Sequence, residues 1–520
     1  MKSFVSLSVL VLLWIPFKKA YAETHPSVPI KNTNNPHIQV NTNDGKDIDK
    51  IAYVITIDKS NQRLATVSMS FAPQNNVLYM AQGASQLPKR WATFVHNLKA
   101  TDTKGNVIPI EELSDAKWKL PSLGLEKITV SYQLRLDHED YTWSGGIDGV
   151  AYSTDWGVFY TGRSLLILNG DEWKSITVDF IVPTDWHVTT PWNSVNETKN
   201  SFVVNNQTAL IQSMVFAGMH EEISIKRNEF ELVFALGGDE IIAQKEDFKN
   251  LAKGVLDYYI GLMGGIPNPS PDNKFTKSIV IINSSTHTDG EQIGNNISML
   301  IEKNGNQMSK LISRFMFAHE FFHLWNGKSF WPTNDETEWF KEGFTNYYTL
   351  KSLRHIGYLD DSSYLQVLNS LFFQRYTNDD GVGELSMTMG EEKHDHWGLI
   401  YGGGLFIAIS QDMIIRKATN NEKNVDHLLK GLFQKYGGTN DGYSLDELRE
   451  SLSKLSGKDQ SKFFDTYVIG TERIPIDTYL SMAGFNAKIE DGILRIDKKK
   501  TTDQLEEDMT QGLFGIIDTN

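Results

Sequence analysis

The sequence contains no cysteine among its 520 residues. Disulfide bonds, thiolate metal ligands and cysteine nucleophiles are therefore excluded, and so is a bacterial lipoprotein anchor, which needs a cysteine at the cleavage point. Any structural or catalytic metal would have to be held by His, Asp or Glu side chains.

Beyond the first 22 residues, we predict no segment that is long and apolar enough to cross a bilayer. Within those 22, Lys2 precedes an apolar stretch from Phe4 to Phe17, and Ala20-Tyr21-Ala22 fits the small-x-small pattern of a signal-peptidase site. A membrane anchor is the alternative, but the stretch is shorter than the about 20 residues that a spanning helix needs. We therefore predict a signal peptide at 1–22, export to the periplasm or the extracellular space, and no stable membrane anchor after cleavage.

Basic residues are fewer than acidic ones, 50 Lys and Arg against 65 Asp and Glu, which gives a formal net charge of -15. Removing residues 1–22 takes away Lys2, Lys18 and Lys19 and no acid, so the charge becomes -18 (-15 minus 3). A field of this sign repels nucleic acid, and the sequence shows no compact basic patch to override it. Nucleic acid is therefore excluded as a partner.

The pattern along the chain indicates several domains. Residues 23–50 are polar and read as a linker. From 51 to about 240, segments such as "IAYVITI" and "KITVSYQLRL" alternate apolar with polar residues, which is typical of half-buried antiparallel strands. An N-terminal all-β domain is predicted there.

The period changes to that of a helix at Glu246, and the Gly264-Gly265 pair is expected to end this helix. One strand, "KSIVIIN", is predicted next, followed by two helices, and the pattern up to residue 485 is mostly helical. We assign residues 241–355 to a domain that mixes a strand with helices, 356–485 to a helical domain and 486–520 to a C-terminal tail.

The stretch "FAHEFFHLWN" contains two histidines four residues apart, His319 and His323. On a helix this spacing is about 40° of rotation and about 6 Å of rise, so both imidazoles project from one side and can share one Zn²⁺. Glu320 lies about 100° round the helix, where it can reach a water on the metal and act as a general base. The H-E-x-x-H pattern is that of zinc peptidases. The alternative without a metal is a pair of hydrogen-bonded core histidines beside a surface glutamate.

A catalytic zinc site uses a third protein ligand and leaves a fourth position for water. A histidine six residues after His323 is excluded, because that position is Ser329. Glu342 follows His323 after 18 intervening residues (324–341), and Glu338 lies one turn earlier. We favour Glu342, because Gly343 beside it would let a neighbouring backbone approach closely, and Glu338 is the competing candidate.

The motifs "HEFFHLWN", "FWP" and "WFKEGFTNYY" resemble the glycyl aminopeptidase family of gluzincin zinc metallopeptidases. The segments "VPTDWHVTTPW", "YGGGLFIAISQDMIIRKATNN" and "FFDTYVIGTERIPIDTYLSMAGF" extend the resemblance over most of residues 51–485. It implies an N-terminal β domain, a thermolysin-like catalytic domain and a C-terminal helical domain. It also implies one Zn²⁺ per chain on His319, His323 and Glu342, with Glu320 as the base and a peptide or protein as the substrate.

The resemblance implies two further residues and contains three departures. Tyr401 takes the place of a tyrosine that hydrogen-bonds the oxyanion, but Gly403 replaces the lysine expected before Gly404. Glu291 in "DGEQIGNNISML" is the candidate that would hold the substrate's free amine, although the segment is altered, and the alternative is a solvated loop carboxylate. A PDZ domain, common in the family, is not expected in residues 486–520.

Together these observations predict an exported zinc metallopeptidase with aminopeptidase-like activity. Three alternatives remain open from the sequence: an endopeptidase, a non-catalytic module that binds peptides in the same cleft, and a hydrolase of another substrate class. The cleaved bond, the oligomeric state and the physiological substrate have no signature in the residues themselves.

Overall fold

A computed structural model describes residues 49–515, apart from 122–123, 125, 144–145, 148 and 196–199. The predicted signal peptide and nearly all of the predicted linker lie outside the described residues. The strands β1 to β23 are, in chain order, Lys50–Asp58, Asn61–Phe71, Val77–Met80, Val95–Asp102, Val107–Ile108, Glu111–Glu112, Lys117–Lys119, Ile128–Arg135, Ala151–Thr154, Gly157–Thr161, Ile167–Asn169, Ser175–Ile181, His187–Thr189, Asn193–Ser194, Ser201–Val204, Met214–Gly218, His220–Arg227, Phe230–Gly237, Lys277–Ser285, Asp289–Ile293, Asn296–Glu302, Phe485–Glu490 and Ile493–Lys498.

The helices α1 to α14 are Gly162–Leu165, Gln207–Ile211, Asp239–Ile242, Lys245–Met263, Gln307–Phe322, Glu338–His355, Asp361–Val367, Gln374–Asn378, Gly404–Ala418, Asp426–Tyr436, Leu445–Ser456, Ser461–Tyr467, Ile476–Leu480 and Gln504–Leu513. Two π-helical segments, Leu368–Phe373 and Gly398–Gly403, lead into α8 and α9. The order of elements, strands first and helices after, confirms the predicted multidomain class with an N-terminal all-β part and a helical part.

The N-terminal part is built from three sheets. The largest has the order β14-β15-β12-β1-β2-β8-β4-β5, and two four-stranded sheets have the orders β13-β16-β10-β9 and β11-β3-β7-β6. In β1 every second residue is buried, which is the period-two pattern of a strand that covers a core on one face. These sheets enclose a core of their own.

A fourth, five-stranded sheet supports the helices of the candidate site, in the order β17-β18-β19-β21-β20. Strands β18, β19 and β21 pair in parallel, and the two edge strands, β17 and β20, pair antiparallel to their neighbours. Strands β17 and β18 lie within the span predicted for the N-terminal β domain, yet they pair into this sheet. The domain boundaries stay predictions.

The prediction of one strand between α4 and α5 is wrong, because β19, β20 and β21 all lie there. The segment "DGEQIGNNISML" forms a hairpin of β20 and β21, joined by Gly294 and Asn295. Gly294 has φ 62°, which glycine adopts at low cost in a tight turn. The Gly-Asn pair between Ile293 and Asn296 is the signal that could have identified this hairpin from the sequence.

The helix predicted to begin near Glu246 and to end at Gly264-Gly265 is α4, Lys245–Met263. Gly264 ends it in the left-handed conformation at φ 79°, and Phe248, Leu251, Val255 and Tyr259 on its apolar face are buried. The face packs into a single large core that continues through α5, α6 and α9 to the C-terminal helix α14. The segment predicted as a tail forms the β22–β23 hairpin and α14, whose Leu513 contributes to that core.

The prediction that no segment beyond residue 22 is long and apolar enough to cross a membrane is wrong, because one helical stretch among the described residues, Gly398–Ala418, meets both conditions. Most of this stretch is buried inside the structure, as in the central helix of a globular core. Helix α9, which is part of this stretch, lies very close to α6. A Cβ on Gly343 of α6 would lie 2.1 Å from the backbone carbon of Gly404, so the two helices touch through glycines.

Candidate metal centre

His319 and His323 lie at the C-terminal end of α5 and point to the same side, as their spacing predicts. Their Nε2 atoms are 3.1 Å apart. The Nδ1 atom of His323 lies 2.9 Å from the carbonyl oxygen of Asn326. Because that carbonyl can only accept a hydrogen bond, Nδ1 donates to it, and in the neutral ring Nε2 then carries a lone pair. The loop after α5 therefore orients one imidazole for ligation.

Glu342 is the carboxylate that meets both imidazoles. Its Oε2 atom is 3.3 Å from Nε2 of His319 and 3.3 Å from Nε2 of His323. Ligand atoms bonded at 2.0–2.1 Å to a tetrahedral Zn²⁺ are about 3.3 Å apart, so the three atoms are spaced as a zinc ion requires. All three side chains are nearly buried, with residue exposures of 8%, 7% and 4% for His319, His323 and Glu342. The donor set fits a zinc ion.

Glu338, the competing candidate for the third ligand, faces two lysines instead. Its Oε1 atom is 2.6 Å from Nζ of Lys341, and its Oε2 atom is 2.6 Å from Nζ of Lys393. Burial opposes its charge, but Lys341 and Lys393 lower the pKa of its carboxyl. The sequence reasoning missed Lys393, which lies 51 residues after Glu342 in the 3₁₀ turn Gly390–His394, too short to give a periodic signal.

The glycine argument for Glu342 has a physical counterpart in the structure. Gly343 lies against the backbone of Gly404 and Leu405, so the two helices meet main chain to main chain at this point. Any side chain at position 343 would push α6 away from α9. This contact fixes the helix that carries Glu342.

Glu320 projects from the turn that carries His319, and its side chain is partly buried. Its carbonyl oxygen accepts a hydrogen bond of 2.8 Å from Nε2 of Gln292 on β20. Burial raises the pKa of the Glu320 carboxyl; His319 opposes this and Glu342 reinforces it. A carboxyl with a raised pKa beside the ligand cluster has the property that a general base near neutral pH requires.

Tyr401 lies in the π-helical segment before α9, with its ring centroid 6.3 Å from that of His319. Its ring stacks on Trp397 at 5.2 Å and 7°, which fixes the plane of the phenol. Burial raises the pKa of its hydroxyl well above the usual range, and Glu342 adds to this. The hydroxyl therefore keeps its proton and can donate a hydrogen bond.

Glu291 lies on the edge strand β20 and is buried, at 8% exposure, so the alternative of a solvated loop carboxylate is wrong. Burial raises the pKa of its carboxyl to about 8, although Arg163 acts in the opposite direction. A Cβ on Gly149 would lie 3.1 Å from its Cγ and 3.2 Å from Nη2 of Arg163. Gly149 and Arg163, both from the N-terminal part, thus lie close to Glu291.

Two other groups in the described part of the chain combine histidine with carboxylates: His187, His220 and Glu222, and Asp379, Asp380 and His396. In the first, the imidazoles stack at 3.8 Å and 29°. Nitrogen lone pairs lie in the ring planes, so stacked rings cannot both aim at one ion without rotating. In the second, the Asp380 side chain is 95% exposed. Neither matches the convergence at His319, His323 and Glu342.

Comparison with known proteins gives two family matches. The N-terminal domain of peptidase family M61 matches residues 52–219, and the M61 glycyl aminopeptidase domain matches residues 313–403, which contain both histidines, Glu342 and Tyr401. No curated protein sequence matches the chain.

Solved structures share the fold at low identity. An aminopeptidase N family protein from Idiomarina loihiensis superimposes with a TM-score of 0.69 at 20% identity, over 85% of this chain and 79% of the other. A mutant of an M1 zinc metallopeptidase from Deinococcus radiodurans superimposes with a TM-score of 0.51 at 12% identity, over 83% of this chain and 96% of the other. At these identities the likeness is one of fold.

Proposed function

Because the chain carries both domains of the M61 glycyl aminopeptidase family, we propose that it is a zinc-dependent metallopeptidase with aminopeptidase activity. The observation that carries the proposal is the convergence of His319, His323 and Glu342, whose ligand atoms lie 3.1 to 3.3 Å from one another. These three side chains would hold the ion. A Zn²⁺ ion bound there supplies a Lewis acid that lowers the pKa of water and polarises a carbonyl.

The proton transfers fall to Glu320. Its carboxylate takes a proton from the attacking water and passes it to the leaving amine when the peptide bond breaks. The hydroxyl of Tyr401 donates a hydrogen bond to the oxyanion that develops on the carbonyl. The high pKa of that hydroxyl supports the role, since a phenolate could not donate.

Glu291 is proposed to bind the free α-amine of the substrate. Its buried carboxyl lies on the edge strand that also contacts Glu320 through Gln292. An ammonium group brought beside it would lower the pKa of Glu291 and stabilise the carboxylate form. The substrate's amino end would then be fixed relative to Glu320, which is the requirement for removal of single N-terminal residues.

An endopeptidase is the second candidate, and one observation favours it. Arg163 already lies near Glu291 and offsets part of the rise that burial causes in the pKa of its carboxyl, so a positive charge is present before any substrate amine arrives. If Arg163 holds that carboxylate during turnover, the amine has no anchor. Peptides with blocked amino ends would then be cleaved.

The test compares wild type with Glu320→Gln on two matched peptides, one with a free and one with an acetylated amino end. We expect wild type to cleave only the free peptide, and the variant to cleave neither while retaining one zinc per chain. Equal cleavage of both peptides by wild type would establish the endopeptidase. Turnover by the variant at the wild-type rate would refute the role of Glu320, and a wild type that binds zinc and cleaves nothing would leave a peptide-binding module.

The location of the protein is also proposed from its sequence. Lys2, the apolar stretch from Phe4 to Phe17 and Ala20-Tyr21-Ala22 support export with cleavage after residue 22. Amino-terminal sequencing of the protein secreted by its own host tests this, with Glu23 as the expected first residue.

A further inference from the structure

The side chains around Glu342 form a largely buried cluster of four charges. Glu338, Lys341 and Glu342 come from the first turn and a half of α6, and Lys393 comes from the 3₁₀ turn Gly390–His394. Residue exposures are 5%, 4% and 6% for Glu338, Glu342 and Lys393. Lys341 is partly exposed, but burying the other three charges costs free energy, and replacing buried ion pairs by apolar residues is often neutral or stabilising. Stability alone therefore does not explain why this charged cluster lies beside the metal ligands.

The cluster divides the two oxygens of Glu342 between different partners. Oε2 faces the two imidazoles, while Oε1 is 3.2 Å from Nζ of Lys393 and 3.6 Å from Nζ of Lys341. Glu338 holds both ammonium groups in place, with both of its oxygens within 2.7 Å of Lys341 and one at 2.6 Å from Lys393. Burial opposes the charge on Glu342, but Lys393, His323 and Lys341 hold the pKa of its carboxyl well below the usual range.

The fold brings Lys393 to this position through a close approach of backbone. A Cβ on Gly390 would lie 2.0 Å from the carbonyl oxygen of Asp335 and 2.7 Å from Cβ of Glu338. Only glycine allows the 3₁₀ turn to lie against the start of α6. The contact between Lys393 and Glu342 is thus built into the packing of two segments.

We propose that Lys393 is a positioning residue that occupies Oε1 of Glu342, so that only Oε2 is available to a metal on His319 and His323. This inference rests on the proposed function of the site. A carboxylate limited to one ligating oxygen leaves coordination space for water and the substrate carbonyl, which a catalytic site needs. Glu338 acts indirectly: it binds Lys341 and Lys393, and these two lysines in turn contact Glu342.

The proposal is tested on the full-length protein loaded with Co²⁺, whose visible absorption weakens as its coordination number rises. The variants are Lys393→Met, Lys393→Arg and the control Lys351→Met. Lys351 is a buried lysine on the same helix, at 2% exposure, paired with Asp426 more than two turns away from Glu342. Each variant is assayed for bound cobalt, absorption spectrum, kcat and KM at a temperature where it is folded.

We expect Lys393→Met to bind cobalt with weaker visible bands and to lose about 10- to 100-fold in kcat, the usual effect of removing a group that orients a metal ligand. KM should stay unchanged, Lys393→Arg should keep the wild-type bands, and so should Lys351→Met. Wild-type bands in Lys393→Met would overturn the proposal, even with kcat reduced, since the lysine would then be merely structural. A wild type that binds no cobalt would refute the proposed function itself, and this inference with it.

Discussion

Replacing Glu291 by glutamine should stabilise the protein at neutral pH. Burial raises the pKa of this carboxyl from 4.5 to about 8, so folding at pH 7 requires a group that is ionised in the unfolded chain to take up a proton. Glutamine has nearly the same shape and carries no charge, so it escapes this cost. The substitution changes one buried side chain on the edge strand β20.

The size of the effect follows from the two pKa values. With 4.5 in the unfolded chain and about 8 in the folded one, the cost is about 3 kcal/mol at pH 7 and below about 1 kcal/mol at pH 5. A carboxyl whose pKa is raised by folding favours the folded state fully below its unfolded pKa, and this contribution is lost as pH rises towards the folded value. The gain from Glu291→Gln should therefore be small near pH 4.5, grow with pH and level off above about 8.

The assay is thermal unfolding of wild type and variant at pH 5, 7 and 8.5. Glu229→Gln is the matched control, because Glu229 is exposed in the turn between β17 and β18, and its replacement should change the midpoint little at any of these pH values. Glu291→Gln should also lose affinity for peptides with a free amine, which would be seen as a raised KM. Stability would then be gained at the expense of substrate binding. A variant that is less stable than wild type at pH 7, or a gain that is the same at pH 5 and pH 7, would refute the reasoning.

Two further predictions concern the catalytic hydroxyl and the contact between helices. Tyr401→Phe should lower kcat by about 100- to 1000-fold with little change in KM, as loss of one oxyanion donor does, and wild-type kcat in steady-state assays would remove Tyr401 from the mechanism. Gly343→Ala should lower both the melting temperature and the zinc content, because its Cβ would lie 2.1 Å from the backbone of Gly404. Gly261→Ala, where a Cβ meets nothing within 4 Å, is the control, and equal losses in the two variants would contradict the steric argument.

Much of the local structure could be read from the order of residues. The alternation in β1 and the apolar face of α4 depend on backbone periods of 2.0 and 3.6 residues, and these are set by the dihedral angles of the chain alone. The pair His319 and His323 belongs to the same class of feature. Because the two histidines are four residues apart on one helix, their side chains point to the same side wherever that helix packs.

The sheet beneath the site was predicted less well. Strand β17 alternates like the strands before it, whereas β18 is buried continuously from Leu232 to Gly237. That continuous run is typical of a strand covered on both faces of a parallel sheet, and it is the signal that could have separated β18 from the N-terminal β domain. The β20–β21 hairpin was missed because its polar residues suggest a loop. Burial of Glu291 follows from the packing of that hairpin near Arg163, which comes from a part of the chain more than a hundred residues earlier.

By itself, the sequence determined the two imidazoles, the neighbouring carboxylate of Glu320 and the alternation of strands and helices, because each of these is a relation within one short element. The tertiary structure decided that Glu342 and not Glu338 meets the imidazoles, that Lys393 contacts Glu342, and that Glu291 is buried. Those contacts join segments far apart in the chain, and their distances depend on how helices and sheets pack, which no local period encodes.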